Sequence, residues 1–373
     1  MSDFSFIIKL LLFIFNEFTM TPEQQAKSKP LVSIVLPAYN EASILARSIE
    51  KIYNYLILFD HKYQWEVLII NDGSKDNTGK IAEELSHQYP IVKVLHHLIN
   101  LNLGNALKTG FNNSHGDFVI TMDLDLSYAV EHIEMLLNTI ETTQADMVLA
   151  SPYMRGGKVT AVPFTRIIMS KWVNWLMSLS SQEKFHTFTC MVRAYRGDFI
   201  RSLNLKTKDY EINPEIIYKA MILRARIIEV PAHLDWSFQN QAGKSRVSGI
   251  RIFKGIFSGL MASFIFRPYM YFLLFGLALM CVFLYLFIWL IVNISFVYPH
   301  MVAQTNYFDD RFSQALARVF SDRPYAFFVA GITLIVALQF LSMGFISLQN
   351  KRYFEELFHL DSSIKNKLIN KKK

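Results

Sequence analysis

Asp123-Leu124-Asp125 is the stretch whose residue types and spacing most directly suggest chemistry. The run Gly116-Asp117-Phe118-Val119-Ile120 precedes it and reads as a short strand that carries two carboxylates to its end. A strand running on through both aspartates would fix their positions by its pleat alone. If the strand stops at Asp123, a turn brings both carboxylates near one divalent ion. Mg2+ and Mn2+ take such hard oxygen ligands and share them with substrate phosphates. A solvated strand-end turn is the plain alternative.

The surrounding pattern supplies elements to position that turn. Strands are expected at Leu31–Leu36, ended by Pro37, at Trp65–Ile70, Val92–Leu95, 117–122 and Asp146–Ala150. Helical patterns fall between them, at 44–56, 76–88, 106–113 and 131–142. This alternation implies an α/β fold with a mostly parallel sheet and helices on both faces. Ligands of such sheets collect beyond the carboxyl ends of the strands. Pro37–Glu41, Asn71–Asp76 and Asp123–Ser127 all fall there. Pro37-Ala38-Tyr39-Asn40-Glu41 stands where a glycine-rich phosphate fingerprint would follow the first strand, which disfavours a nicotinamide or flavin site.

Beyond residue 150 the pattern changes to a basic loop at Tyr153–Lys158 and a helix at 164–180 carrying Arg166 and Lys171. An extended segment at 185–195, a helix at Glu211–Ala225, a strand at Ile227–Pro231 and a basic turn at Gly243-Lys244-Ser245-Arg246 follow.

The chain has 373 residues, 31 of them Phe and 17 Tyr, and its apolar residues crowd into the last third. No charged residue lies between Pro268 and Pro299 or between Pro324 and Asn350, so two transmembrane helices are expected, at about 269–298 and 324–349. Residues 246–267 interleave Arg246, Arg251, Lys254 and Arg267 with apolar side chains, which suits an amphipathic helix in the membrane interface. Four Lys or Arg precede the first span and seven follow Asn350, while the loop 300–323 offsets its three Arg with three Asp. Both flanks, including the basic tail 351–373, are therefore expected in the cytoplasm, with the loop outside. The formal charge of +7 follows these flanks and speaks for an anionic membrane surface, not for nucleic acid. Residues 4–18, interrupted by Lys9 and Asn16, are short for a span and read as an amphipathic helix, a third span being the rival; 19–30 read as a linker. Cys190 and Cys281 form no pairing or metal pattern, in keeping with a reducing compartment.

Four ordered motifs then carry a resemblance: Val35-Leu36-Pro37-Ala38-Tyr39-Asn40-Glu41, Asn71-Asp72-Gly73-Ser74-Lys75-Asp76-Asn77-Thr78, Gly104-Asn105-Ala106-Leu107-Lys108-Thr109-Gly110 and Met122-Asp123-Leu124-Asp125. They resemble the inverting glycosyltransferases of family 2, which use the nucleotide-sugar binding fold called GT-A. Arg193-Ala194-Tyr195-Arg196, Glu229-Val230-Pro231 and Gly243-Lys244-Ser245-Arg246 narrow the resemblance to dolichyl- or polyprenyl-phosphate mannose or glucose synthases with C-terminal membrane helices. It implies a catalytic domain over 31–245 in a multi-pass protein of the cell inner membrane, facing the cytoplasm.

The resemblance implies roles residue by residue. Pro37, Tyr39, Asn40 and Glu41 would line the nucleotide, and Asp72 would hold its base or ribose edge. Asp123 would approach the ribose and diphosphate, and Asp125 would be the main protein ligand to Mg2+ or Mn2+. Arg166, Arg155, Lys244 and Arg246 would gather the phosphate of a polyprenyl or dolichyl phosphate acceptor, Arg166 foremost. The donor would be a nucleotide diphosphate sugar, GDP-mannose slightly ahead of UDP-glucose or UDP-N-acetylglucosamine. A homo-oligomer is left open.

The acceptor half departs from the family pattern. Ala150-Ser151-Pro152-Tyr153 replaces Gly-Ser-Arg, Thr187-Phe188-Thr189-Cys190-Met191-Val192-Arg193 replaces Asp-x-x-Ser-Gly-Phe-Arg, and Asn240 and Ser127 stand where Arg and Gln are usual. Two further readings therefore stand beside the first. One transfers the sugar to a hydroxyl of a glycan or lipid-linked saccharide, with Glu211 or Glu215 as base. The other is an inactive membrane-tethered binding or scaffold protein.

Overall fold

The computed structural model describes residues 29–179, 184–237, 264, 268–304 and 309–370. Among them the strands are β1 (Leu31–Ala38), β2 (Gln64–Asn71), β3 (Val92–His96), β4 (Phe118–Thr121), β5 (Met147–Ser151), β6 (Lys158–Thr160), β7 (Arg193–Arg196), β8 (Ile227–Pro231) and β9 (His233–Asp235). The helices are α1 (Leu45–Leu56), α2 (Thr78–Gln88), α3 (Leu103–Asn113), α4 (His132–Thr143), α5 (Phe164–Leu179), α6 (Gly197–Ser202), α7 (Ile212–Ile222), α8 (Pro268–Val297), α9 (Asp310–Asp322) and α10 (Pro324–Asn370). Contacts divide the chain into two units: Met1–Val148 with Met191–Arg201, and Leu149–Cys190 with Ser202–Lys373.

In the first unit the strand order is β3-β2-β1-β4-β7. The pairings β1–β2, β1–β4 and β2–β3 are parallel, and β4–β7 is antiparallel. This is the mostly parallel α/β sheet that the sequence pattern implies. Val32, Ile34, Val35, Leu36, Ile69 and Ile70 are fully buried, as parallel strands with both faces covered require. Each such side chain contributes about 1.5–3 kcal/mol of burial. The apolar positions Leu45, Ile49, Ile52 and Leu56 form the buried stripe of α1, at helical spacing. Helix α3 lies close on β1: a Cβ on Gly110 would come within 2.3 Å of Val35 Cγ1.

Three of the boundaries that differ from the sequence expectation have a local physical reason. Strand β1 runs through Pro37 to Ala38. Its pairing with β4 stops at Val35, so Pro37 sits beside β2 alone and its missing N–H breaks no ladder on the other side. Helix α3 begins at Leu103, directly after Asn102 takes φ 70°. Of the extended run at 185–195, the strand keeps Arg193–Arg196. Upstream of it the backbone N–H groups of His186 and Thr187 go to Glu229, and that of Phe188 goes to Asn174 Oδ1.

In the second unit, the backbone N–H of Ala232, just past β8, donates to Ser151 O at the end of β5 over 3.1 Å. Strands β6 and β9 form a separate parallel pair, which the sequence pattern does not foretell. Among the described residues two helices are long and apolar enough to cross a membrane, Pro268–His300 and Pro324–Leu357. They approach closely at small residues: a Cβ on Gly276 would meet Leu341 Cγ at 2.8 Å, and one on Gly344 would meet Leu273 at 2.8 Å. Between them the loop contains α9, whose Ala315 and Val319 cluster with Leu290, Ile294 and Ala330. Helix α10 continues beyond Asn350 to Asn370, so the expected tail is largely helical. No Pro or Gly interrupts residues 345–370, and Lys351 pairs with Glu355 across one turn at 3.3 Å. The expected interfacial helix at 246–267, apart from Phe264, and the N-terminal segment 4–18 lie outside the described residues.

Candidate active site

The sheet of the first unit fixes where its loops emerge. Val35 of β1 pairs with Thr121 of β4, and Ala38 pairs with Asn71 of β2. Pro37–Glu41, Asn71–Asp76 and Asp123–Ser127 therefore leave the same edge, the carboxyl ends of three parallel neighbours.

Strand β4 ends at Thr121, two residues before Asp123. The Met122 N–H still donates to Val35 O over 3.2 Å, and then the chain turns, with Leu126 N–H donating to Asp123 O over 3.2 Å. Leu126 takes φ 49°, a left-handed conformation. Leu124 is buried in the turn while Asp123 and Asp125 are half-buried on either side of it. Asp125 Oδ1 accepts the N–H of Ser127 over 3.0 Å, which fixes the carboxylate against its own loop. Two hard oxygen donors on a tight turn fit a divalent cation. Among the described residues no group of three or more His, Cys, Asp or Glu is placed to hold a metal ion.

Asp72 follows β2 and is 4 % exposed. Its Oδ1 accepts two hydrogen bonds, from the N–H of Leu101 over 2.9 Å and from His97 Nδ1 over 2.7 Å. Gly73 then takes φ +63°, and a Cβ there would come within 2.3 Å of the Ile99 carbonyl carbon. A side chain at this position is excluded both by the backbone conformation and by the loop above it.

The loop after β1 is tied to the loop after β2. Asn40, itself at φ 55°, receives Ser74 and Lys75: its N–H donates to Ser74 Oγ over 3.0 Å, and its Oδ1 accepts from Lys75 N–H over 2.8 Å. The N–H of Glu41 donates to Thr78 Oγ1 over 2.8 Å, and that of Ala42 to Asp76 Oδ2 over 3.3 Å. Burial works to raise the Asp76 pKa, but the Thr78 hydroxyl and the N–H groups of Thr78 and Ala42 outweigh it and hold the carboxyl below its ordinary value. Pro37 is half-buried at the base of the loop, and Tyr39 is 41 % exposed at its tip.

The residues expected on the acceptor side belong to the second unit. Arg155 is exposed in the turn before β6. Arg166, in the first turn of α5, lays its guanidinium over the Trp236 ring at 4.1 Å. Lys171 lies 5.9 Å from the Tyr153 ring. Helix α5 also exposes Phe164, Ile168, Trp172 and Trp175, an apolar stripe at helical spacing. Glu229 accepts the N–H groups of His186 and Thr187 over 2.9 Å each and pairs with His186 Nδ1 at 2.8 Å. Lys244, Arg246 and Asn240 lie outside the described residues.

Glu215, a candidate base, is 2 % exposed and pairs with Lys219 at 2.6 Å. It also accepts the N–H groups of Lys206 and Thr207 and the Thr207 hydroxyl. Burial pushes its pKa up, but the Lys219 ammonium and the Thr207 and Lys206 donors pull it further down, below the ordinary value. Glu211 directly precedes α7.

Sequence reasoning passes over His97, Trp236 and the bonding of Glu229. A signal for His97 is present, since it is the residue just past β3, at the carboxyl end of a parallel strand.

Comparison with known proteins gives a consistent picture. The family described as Glycosyl transferase family 2 matches residues 33–203. The chain is 30 % identical over 228 residues to an undecaprenyl-phosphate mannosyltransferase of Micrococcus luteus, an alignment covering 58 % of this chain and 88 % of that protein. It is 28 % identical over 231 residues to a polyprenol monophosphomannose synthase of Mycolicibacterium smegmatis, covering 60 % of this chain and 83 % of that one. A dolichol-phosphate mannosyltransferase of Pyrococcus furiosus is 30 % identical over 226 residues, covering 60 % of this chain and 61 % of the relative, so the chain spans less than two thirds of that protein's length.

Proposed function

Because the chain belongs to glycosyl transferase family 2, we propose that it transfers a hexose from a nucleotide diphosphate sugar to a polyprenyl or dolichyl phosphate at a membrane surface. The observation that carries this reading is the shared sheet edge where Asp72 emerges after β2 and Asp123 and Asp125 after β4, the two strands that flank β1 in parallel. Mannose is the sugar we favour, because the three relatives are named for mannose transfer or mannose synthesis; GDP-mannose is the corresponding donor.

Asp72 meets the donor's nucleoside through Oδ2, its Oδ1 being already engaged. Pro37, Tyr39, Asn40 and Glu41 line that nucleoside on a loop held by Ser74, Asp76 and Thr78. Asp123 and Asp125 would hold Mg2+ or Mn2+. When bound, the cation supplies Lewis-acid neutralisation of the diphosphate leaving group. The acceptor phosphate is ionised near neutral pH and attacks the sugar's anomeric carbon from the side opposite the diphosphate, with inversion. No side chain has to remove a proton. Arg166, placed over the Trp236 ring, and Arg155 offer the positive charge that gathers a phosphate. Transfer to a hydroxyl would need a general base, and the buried, low-pKa Glu215 paired with Lys219 is unsuited to that work.

The two apolar helices support an integral, multi-pass membrane protein, and the basic flanks support a cytoplasmic catalytic domain at the cell inner membrane. The exposed stripe Phe164, Ile168, Trp172 and Trp175 suits a membrane interface. Incubation of the detergent-purified chain with nucleotide sugars, Mg2+ or Mn2+ and polyprenyl phosphate tests the reading. A lipid-phosphate hexose is the expected product.

A further inference from the structure

We infer that His97 is a positioning residue for the donor site: it locks the Asp72 carboxylate so that one oxygen, Oδ2, is presented to the nucleoside. This rests on the reading of Asp72 given above and assigns His97 a part in it without contact to the ligand. His97 is the first residue past β3, and its backbone N–H donates to Asn71 O over 2.9 Å, beside Asp72. Its side chain is 9 % exposed and that of Asp72 5 %. An ionised carboxylate can only accept, so the Nδ1 that meets Asp72 Oδ1 at 2.7 Å carries the proton. At the other end of the ring, Nε2 meets Thr109 Oγ1 at 2.9 Å. Thr109 lies on α3, the helix that Gly110 seats against Val35 of β1. The imidazole thus spans from the end of the sheet to a helix packed on it, and its plane is fixed at both nitrogens.

The Leu101 N–H completes the arrangement at 2.9 Å, so Oδ1 carries two donors and rotation of the carboxylate would break both bonds. Without His97, Asp72 keeps one donor and samples orientations that turn Oδ2 away from the nucleoside. Donor binding would then weaken while the chemical step, which occurs at the sugar, is unaffected.

Calorimetric titration of the purified full chain with UDP and with GDP, each with Mg2+, tests this. For whichever nucleotide the wild type binds more tightly, His97→Leu is expected to weaken binding by about tenfold, the scale of one charge-assisted hydrogen bond. His97→Asn, whose side-chain N–H2 takes the place of Nδ1–H, is expected to recover affinity to within about threefold of the wild type. In turnover assays the loss should appear in the donor KM, with kcat held within about threefold. Wild-type affinity in His97→Leu overturns the inference. So does an equal loss in both variants when their melting temperatures match the wild type. A wild type that binds nucleotide but forms no lipid-linked sugar defeats the transferase reading, and the binding comparison still decides the role of His97. A wild type that binds neither nucleotide overturns both.

Discussion

Val35 of β1 and Thr121 of β4 lie side by side in parallel register, and the Met122 N–H reaches back to the Val35 carbonyl at 3.2 Å. That pairing determines where the Asp123–Asp125 turn begins, level with Pro37 near the end of β1. If these carboxylates hold the cation, Asp125→Ala should lower metal-dependent turnover by about a hundredfold or more, since the metal's charge stabilisation is worth several kcal/mol. Turnover measured against Mg2+ and Mn2+ concentration, on protein shown by melting to be folded, checks this. Full activity in Asp125→Ala would remove the assigned metal role.

Gly73 makes a second test of the same edge. Its φ of +63°, and the 2.3 Å that would separate a Cβ there from the Ile99 carbonyl carbon, leave no room for Gly73→Ala. The variant should push the 98–101 loop off Asp72 and weaken nucleotide binding, with a stability loss of about 1–3 kcal/mol. Calorimetry with UDP or GDP and a thermal melt separate the two effects. Unchanged binding would mean that the loop's seat on Gly73 has no part in holding Asp72.

The Arg166 guanidinium over the Trp236 ring, 4.1 Å from its centroid, predicts a difference between cations. Arg166→Lys keeps the charge but loses the planar group that stacks and binds phosphate through two N–H donors. Both Arg166→Lys and Arg166→Ala should raise the KM for polyprenyl phosphate, the alanine variant more, while the donor KM stays unchanged. A rise in donor KM with no change for the lipid would place Arg166 on the other substrate.

Glu215 gives the pH prediction. Its folded pKa lies below the ordinary glutamate value of about 4.3, so its contribution is complete above that value and is lost as pH falls through the folded pKa. Acid unfolding below about pH 4 should therefore include protonation of Glu215. Glu215→Gln removes the carboxylate charge that faces the buried Lys219 ammonium and should cost about 3 kcal/mol at neutral pH. Its stability should also fall less steeply with acidification. Parallel melts of the two proteins between about pH 3 and pH 7 read both effects.

The placement of the strand-end loops is largely legible in the sequence because it rests on local information. Strand-end loops with Asp72, Asp123 and Asp125 can be placed once apolar runs are assigned to parallel strands. Pairing across the sheet is not local. The bond from His97 to Asp72 needs the register of β3 on β2, where His96 pairs with Asn71. Arg166 and Trp236 are far apart in the chain and meet because β9 pairs with β6, ahead of α5. Glu215 shows the opposite failure. Its place near the start of α7 suggests an exposed helix-end carboxylate, but Ile212 to Ala220 are buried on all sides, and the helix pairs its own Glu215 with Lys219.

Transfer of a hexose to a lipid phosphate at the Asp72, Asp123 and Asp125 edge can be measured directly. The most direct measurement incubates the purified full chain with GDP-mannose, UDP-glucose or UDP-N-acetylglucosamine, each with polyprenyl phosphate or a saccharide acceptor. Lipid products are then identified by mass spectrometry, with Asp125→Ala as control. The prediction is a polyprenyl-phosphate hexose from one of these donors, dependent on Mg2+ or Mn2+ and absent in Asp125→Ala. Absence of that product with every donor, or sugar transfer confined to the saccharide acceptors, would contradict the account.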